Sequence, residues 1–474
     1  MHPVDNSTID KTLISVRKHL PSQADYDIIL TYLYGGGVMD NYYTNVKLNS
    51  NSSLIVNFNG GAIGSDGGLV LYREFIEHIG LRDIIYENLD FIRLGPNAKY
   101  DVADKVIQQV IFQIAGYEDN NDAGRLAHDP VMKAVLDGKI ASQPTLSRHE
   151  NSFSREGIEG LQRANGALLK NVYTHEKPEV VILDIDSTED KVHGCQEGAR
   201  YNGHFGHVAY HPLLVFNGIN GDFIVGELRD GNVYTSNGAT DLLIKAFDIV
   251  GNATTRMIVR GDSGFADPKI FDLCEEKDSD YFIRLKANWV LWDLAREIVN
   301  QIDLRNYSNE QIVYGEFCYK AQSWRDYRRV LVKVHKEPDK LFYDMYFLCT
   351  NNLWVSPKQG WDFYQQRANM ENFIKESKLG FALDRLSCKD FDANAARMQI
   401  KGLSYNISNM FKRFCIPDDI KLHQIETLRT KIIKIGCKIV RHGRQVYVKL
   451  SSSYPHKNYF WEALISVKYL HIAT

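Results

Sequence analysis

The stretch YQQRANMENFIKESK, residues 364–378, sets four chemically different side chains at fixed steps: Tyr364, then Arg367, Glu371 and Lys378 three, seven and fourteen positions later. Steps of three, four and seven return to nearly the same azimuth on a helix of 3.6 residues per turn, so the spacing predicts one helical stripe about 21 Å long. An ordinary solvated face with ion pairs one turn apart reads this way. So does a carboxylate flanked by cations, able to hold a metal ion and follow a line of phosphates. The rest of the chain decides between them.

At 474 residues the chain exceeds what one hydrophobic core normally serves, which predicts two to four structural units. Apolar residues at 44% and aromatics at 11% exclude a disordered chain. Cysteines 195, 274, 318, 349, 388, 415 and 437 are odd in number, scattered and never in a CxxC pair. They point to reduced thiols inside a cell. No run approaches the roughly 18 apolar residues of a membrane span, and the N-terminus lacks a basic-then-apolar signal, so a soluble protein with no membrane partner is expected. Charge is uneven. The net is −3, yet residues 401–474 hold 13 Lys and Arg against 4 Asp and Glu, leaving −12 for residues 1–400. A basic tail of this kind suits nucleic acid, or merely solvates a small unit.

Residues 1–38, polar and closed by GGG at 35–37, read as an extension upstream of a natural start at Met39. LVLYREFIEHIGL and VADKVIQQVIFQIAG show helical spacing, each with a Gly near its end. In DPVMKAVLDGKIASQPTLSRHENSFSR a helix ends near Gly138 and a second begins at Ser142 and Pro144. The second carries Ser147, Arg148, His149 and Asn151, types suited to phosphates and base edges, so the pair resembles a helix-turn-helix; plain bundles contain such pairs too.

From 179 the text is β-rich. EVVILDIDST predicts a strand with Val181, Leu183 and Ile185 on one face and Asp184 and Asp186 on the other. HPLLVFNGINGDFIVGELRDG reads as two strands about an Asn-Gly turn, followed by a helix through DLLIKAFDIV. RMIVRGDSGFAD is a strand running into Asp262, with Asp267 capping the next helix ahead of Pro268. YFIRLKAN is another strand, carrying Arg284 and Lys286, and residues 311–350 read as an antiparallel meander. KIVRHGRQVYVKLSSS reads as a basic hairpin about His442-Gly443. His193, Cys195, His204 and His207 fit no familiar closed zinc spacing. Trp289 and Trp324 suit a stacking platform, although buried packing is the commoner use of tryptophan.

Asp186, Asp262 and Glu371 come from two strand ends and a helix, a set able to converge on divalent cations for phosphoryl transfer. Among 59 acidic residues chance supplies many such triples. Resemblance is more specific: Tyr364, Arg367, Glu371 and Lys378 fit the Tyr-Arg-Glu-Lys signature of bacterial insertion-sequence transposases with an Asp-Asp-Glu triad. LDIDSTEDKVHGCQEG with YHPLLVF, RGDSGFAD with YFIRLKAN, and the leading phrases GSDGGLVLYREF, AGYEDNNDAGRLAHDP and SQPTLSRHEN are similar to that family's blocks. The resemblance covers roughly residues 55–470.

It implies an α/β fold: an RNase H-like mixed sheet with flanking helices, an inserted antiparallel β meander, a helical N-terminal region and a small basic C-terminal unit. The implied division is 1–38 extension, 39–175 helical DNA-binding region, 176–295 catalytic core, 296–355 β insertion, 356–414 core again and 415–474 basic unit. It implies Asp186, Asp262 and Glu371 as catalytic metal ligands for two Mg²⁺ ions, with Mn²⁺ as a substitute. Tyr364, Arg367 and Lys378 fall to phosphate contact; Arg284 and Lys286 read as candidate DNA-backbone contacts or as solvated strand charges, and Arg148 as a candidate DNA contact. The implied partners are double-stranded DNA, element ends and target, and a second copy of the chain. The implied location is the bacterial cytoplasm, at the nucleoid. A domesticated DNA-binding protein that no longer cuts, and a metal-dependent nuclease without strand joining, are the alternatives.

Overall fold

The computed structural model describes residues 45–89, 99–306 and 308–470. The expected extension over 1–38 lies outside the described residues. The chain divides into two compact units at Ala62–Ile63. The first contains a short antiparallel pair, Val46–Lys47 with Ile55–Val56. All that follows concerns the second.

Helices lead it: α1 (Leu69–His78), α2 (Leu81–Leu89), α3 (Val102–Ala115), α4 (Gln143–Glu150) and α5 (Arg155–Glu176), with shorter helical turns between. Local chemistry sets their ends. Asp101 and Asp104 cap the start of α3 reciprocally, and Gly116 closes it at φ +89°. Ahead of α4 the short helix Pro130–Val135 ends and Gly138 turns the chain at φ +72°, so the anticipated close-coupled helix pair is present. His149, expected at a DNA-facing surface, is instead 3% exposed and lies against Phe153. The turn places it on the apolar side of α4, beside buried Leu146.

The chain then runs β1 (Val180–Ser187), β2 (Leu213–Asn217), β3 (Phe223–Glu227), α6 (Ala239–Val250), β4 (Arg256–Gly261), α7 (Pro268–Glu276), β5 (Asp280–Leu285), β6 (Gln311–Tyr319), β7 (Arg328–Lys336) and β8 (Asp344–Thr350). These eight strands form one mixed sheet in the order β6-β7-β8-β5-β4-β1-β2-β3. β1, β4 and β5 run parallel to their neighbours among themselves; every other pairing is antiparallel. The meander β6–β8 is thus hydrogen-bonded into the sheet, with Phe282 opposite Thr350 and Leu285 opposite Phe347. β2 is buried along its whole length, as a strand covered on both faces must be.

Beyond the sheet lie α8 (Pro357–Gln365), α9 (Ala368–Phe381) and α10 (Phe391–Cys415). An edge strand exposes unpaired backbone groups unless something covers it. At β3, side-chain amides of α5 and α10 do so: Gln162 and Gln399 donate to the Gly226 carbonyl, and Asn406 both donates to the Phe223 carbonyl and accepts its N–H. The buried Gln399 and Asn406 of α10 are thereby satisfied. The C-terminal segment forms the hairpin β9 (Cys437–His442) and β10 (Gln445–Leu450), followed by α11 (Lys457–Lys468). Gly443 and Arg444 both take positive φ, the turn that matches strand twist. Lys438, Arg441, Arg444 and Lys449 are exposed on it.

Candidate active site

Two parallel strands end side by side. The register pairing Arg260 with Asp184 and Gly261 with Ile185 carries Asp262, one residue beyond β4, to the level of Asp186 near the end of β1. Asp262 is fixed by the turn it caps, Oδ1 accepting the Gly264 N–H at 2.8 Å. Asp186 Oδ1 accepts the Ser187 N–H at 2.9 Å, and Oδ2 lies 2.8 Å from Arg367 Nη2. Burial pushes the Asp186 carboxyl up to about 6; the Arg367 charge opposes this and the Asp262 charge adds to it. The two aspartates therefore feel each other, a repulsion that a dication between them would relieve.

Asp184, on the same strand face, has a different use. Its carboxylate and the Arg260 guanidinium are both fully buried and joined by two 2.7 Å hydrogen bonds, with Gly218 leaving the room they need. Arg260 Nη1 also donates to the Phe363 carbonyl at 2.9 Å.

That last bond bears on the Tyr-Arg-Glu-Lys stretch. The expected single helix is two, α8 and α9, with a break at Gln366–Arg367. The Phe363 carbonyl is engaged by Arg260, and the Arg367 N–H bonds Tyr364 O at 2.9 Å, one residue short of the helical partner. The stripe is correspondingly divided. Tyr364 is 8% exposed, its ring against Trp361, and burial pushes its phenol up to about 12. Arg367 and Arg284 oppose that shift; Asp262 and Asp186 add to it. These five residues share one electrostatic neighbourhood.

Glu371 is exposed on the first turn of α9 and is not among them. Lys378 turns to the loop after β1, 3.1 Å from Asp190 Oδ1 and donating to the Glu189 carbonyl. Glu376 faces elsewhere, accepting the Ile425 N–H at 3.0 Å. Arg284 is half-buried over the Tyr346 ring, while Lys286 and Arg148 are exposed. Trp324 is core, packed on Phe271; Trp289 is 79% exposed. Asp267 caps α7 through the Lys269 N–H, as its position before Pro268 foretells.

Asp190, four residues past Asp186, was not singled out from sequence. It is 3% exposed on its side chain, and burial drives its carboxyl up to about 7 against the pull of Lys378, with Asp384 adding to the rise. A carboxyl raised in the folded state contributes stability that is complete below its unfolded value near 4 and is lost as pH rises through about 7. Asp190→Asn is therefore expected to gain on the wild type from pH 4.5 to pH 8, by at most about 1.4 kcal/mol per pH unit in that window. Urea titrations at both pH values check the sign.

The donor chemistry at Asp186 and Asp262 is all-oxygen, which suits a hard cation such as Mg²⁺. Their mutual repulsion fits it too. Among the described residues no three His, Cys, Asp or Glu side chains form a group that could hold a metal ion, so no third side chain of these types joins this pair. Also among the described residues, no helix is long and apolar enough to cross a membrane.

A solved cryo-EM structure, of the piggyBac transposase synaptic complex with hairpin DNA, is similar at 12% identity and a TM-score of 0.40, covering 85% of this chain and 80% of that one. No curated protein matches the sequence. A family model described as transposase DDE domain group 1 matches residues 46–472, nearly the whole chain. The chain belongs to the transposase DDE domain group 1 family, DNA-recombining proteins that generally use divalent metal ions.

Proposed function

We propose that this transposase binds the ends of a mobile DNA element as a dimer, cuts a strand there, and joins the freed 3′ hydroxyl to target DNA. The observation carrying the reading is the pair of electrostatically coupled aspartates, Asp186 and Asp262, at neighbouring strand ends in a chain of this family. The order β3-β2-β1-β4-β5, with β1, β4 and β5 parallel, supports an RNase H-like core. Asp186 and Asp262, with Glu371 as the third carboxylate, are the residues that would hold two Mg²⁺ ions. When bound, such ions lower the cost of forming the attacking alkoxide or hydroxide and stabilise the departing oxygen.

The chain's own side chains do the rest. Arg367 and Arg284 each keep a buried Nε–H without an acceptor among the described residues, which supports a nearby anion. In this reading Tyr364, Arg367 and Lys378 fix phosphates flanking the scissile bond, and Arg367 exchanges Asp186 for one of them. Arg284, Lys286 and Arg148 contact the backbone further out. The exposed cations of the β9–β10 hairpin add sequence-independent affinity.

The test uses duplex DNA carrying the element's terminal repeats. With Mg²⁺ the chain is expected to nick the repeat end and produce joined DNA. Binding without nicking favours a silent DNA-binding protein, and nicking without joined product favours a nuclease. Arg441→Ala/Arg444→Ala is expected to bind more weakly on all sequences, with the slope of log K against log salt shallower by about 1.8 if both side chains meet phosphates. Fluorescence anisotropy over a salt series reads this.

A further inference from the structure

Arg229 lies two residues past the end of β3, at the start of the loop that leads to α6. It is 7% exposed, yet no carboxylate pairs with it among the described residues. Instead its hydrogen bonds go to main-chain carbonyls: Nε to His211 at 2.8 Å, and Nη1 to Thr235 at 3.0 Å, Asn237 at 2.6 Å and Tyr234 at 3.4 Å. Nη2 is buried without an acceptor among the described residues. Burial lowers the guanidinium to about 10, with Glu227 alone opposing. Keeping a cation dry without a counter-charge is expensive, so the carbonyl clamp is the feature to explain.

The loop it clamps has further side-chain supports. Asn202 donates to the Gly231 carbonyl at 2.6 Å, and His211 Nδ1 lies 2.9 Å from the Val233 carbonyl. Its other flank meets the candidate active site. A Cβ placed on Gly264 would lie 2.8 Å from the Thr235 methyl and 3.0 Å from Asp262 Oδ1. Thr235 thus seals the turn whose Gly264 N–H holds the Asp262 carboxylate.

We propose that Arg229 is a positioning residue for Asp262: it fixes the Tyr234–Asn237 backbone, which presses Thr235 onto Gly264 and so sets the direction of the Asp262 carboxylate. The role rests on Asp262 being a metal ligand. Lysine cannot reproduce it, because one ammonium cannot span the His211 carbonyl and those of the loop in a planar fork.

The experiment measures Mn²⁺ affinity of the full chain by electron paramagnetic resonance, without DNA, beside melting temperature and DNA affinity. Arg229→Lys is expected to stay folded, bind DNA as before, and hold Mn²⁺ about 10-fold or more less tightly, the size typical of lost outer-shell support. Thr235→Ser, which removes only the methyl, is expected to weaken Mn²⁺ in the same direction, and Thr235→Val to keep it. This pair decides the matter should the Arg229 variant not fold. Wild-type Mn²⁺ affinity in Arg229→Lys or in Thr235→Ser, beside loss of affinity in Asp262→Asn, overturns the positioning role alone. Wild-type affinity in Asp262→Asn overturns the ligand assignment and the positioning role with it.

Discussion

Asp262→Asn lowers Mg²⁺-dependent strand cleavage by about 10³-fold or more, while DNA affinity and melting temperature stay close to wild type; that is the expected result, on the scale set by removing one preorganised electrostatic group. The amide is the same size, and its oxygen can still accept the Gly264 N–H that the carboxylate accepts now at 2.8 Å. Asparagine is also as good as aspartate at capping a helical turn. What disappears is one negative charge beside Asp186. Glu371→Gln is the companion measurement. Glu371 is exposed, so its loss removes no packing and its effect on stability is expected within about 0.5 kcal/mol. If Glu371 completes the site on DNA, cleavage falls as far as in Asp262→Asn. Cleavage that survives Glu371→Gln but not Asp262→Asn would place the third carboxylate elsewhere while leaving the aspartate pair standing.

Which of these features could be read from sequence follows from the range of the interactions behind them. Strands β1, β4 and β5 and the β2–β3 hairpin were legible because apolar alternation and Asn-Gly turns are local signals. So were the caps at Asp267 and the turn at Gly443. Asp186 and Asp262 were legible as strand-end acids, but their adjacency is a matter of parallel register, which no local signal carries. His149 looked available for DNA because its neighbours are polar; the burial of one α4 face against the rest of the bundle is a tertiary event. The Arg229 clamp was illegible for the same reason, since its hydrogen-bond acceptors are backbone carbonyls that any residue supplies.

The break in the Tyr-Arg-Glu-Lys stretch shows the limit most clearly. Periodicity favours one continuous helix, and no proline or glycine lies between Tyr364 and Lys378 to interrupt it. The interruption is associated with Arg260, more than a hundred residues away, whose guanidinium takes the Phe363 carbonyl. A consequence is that Tyr364 and Arg367 stand with the aspartate pair, whereas Glu371 rides on a separate helix.

Arg260→Met should therefore be the most destabilising of these substitutions, by about 3–5 kcal/mol in urea unfolding, because it leaves the fully buried Asp184 carboxylate without its counter-charge. Burial already pushes that carboxyl up, and Arg260 is the first influence holding it down. The double variant Asp184→Leu/Arg260→Met separates charge from architecture. Replacing both members of a buried pair by apolar groups is often neutral for stability, so most of the lost stability is expected to return. Cleavage is not expected to return with it, since methionine offers no donor to the Phe363 carbonyl and the break that sets Arg367 beside Asp186 loses its anchor. A double variant that recovers stability and cleavage together would mean the pair serves folding alone; one that recovers stability but not cleavage makes the buried ion pair the link between the sheet and the placement of Arg367.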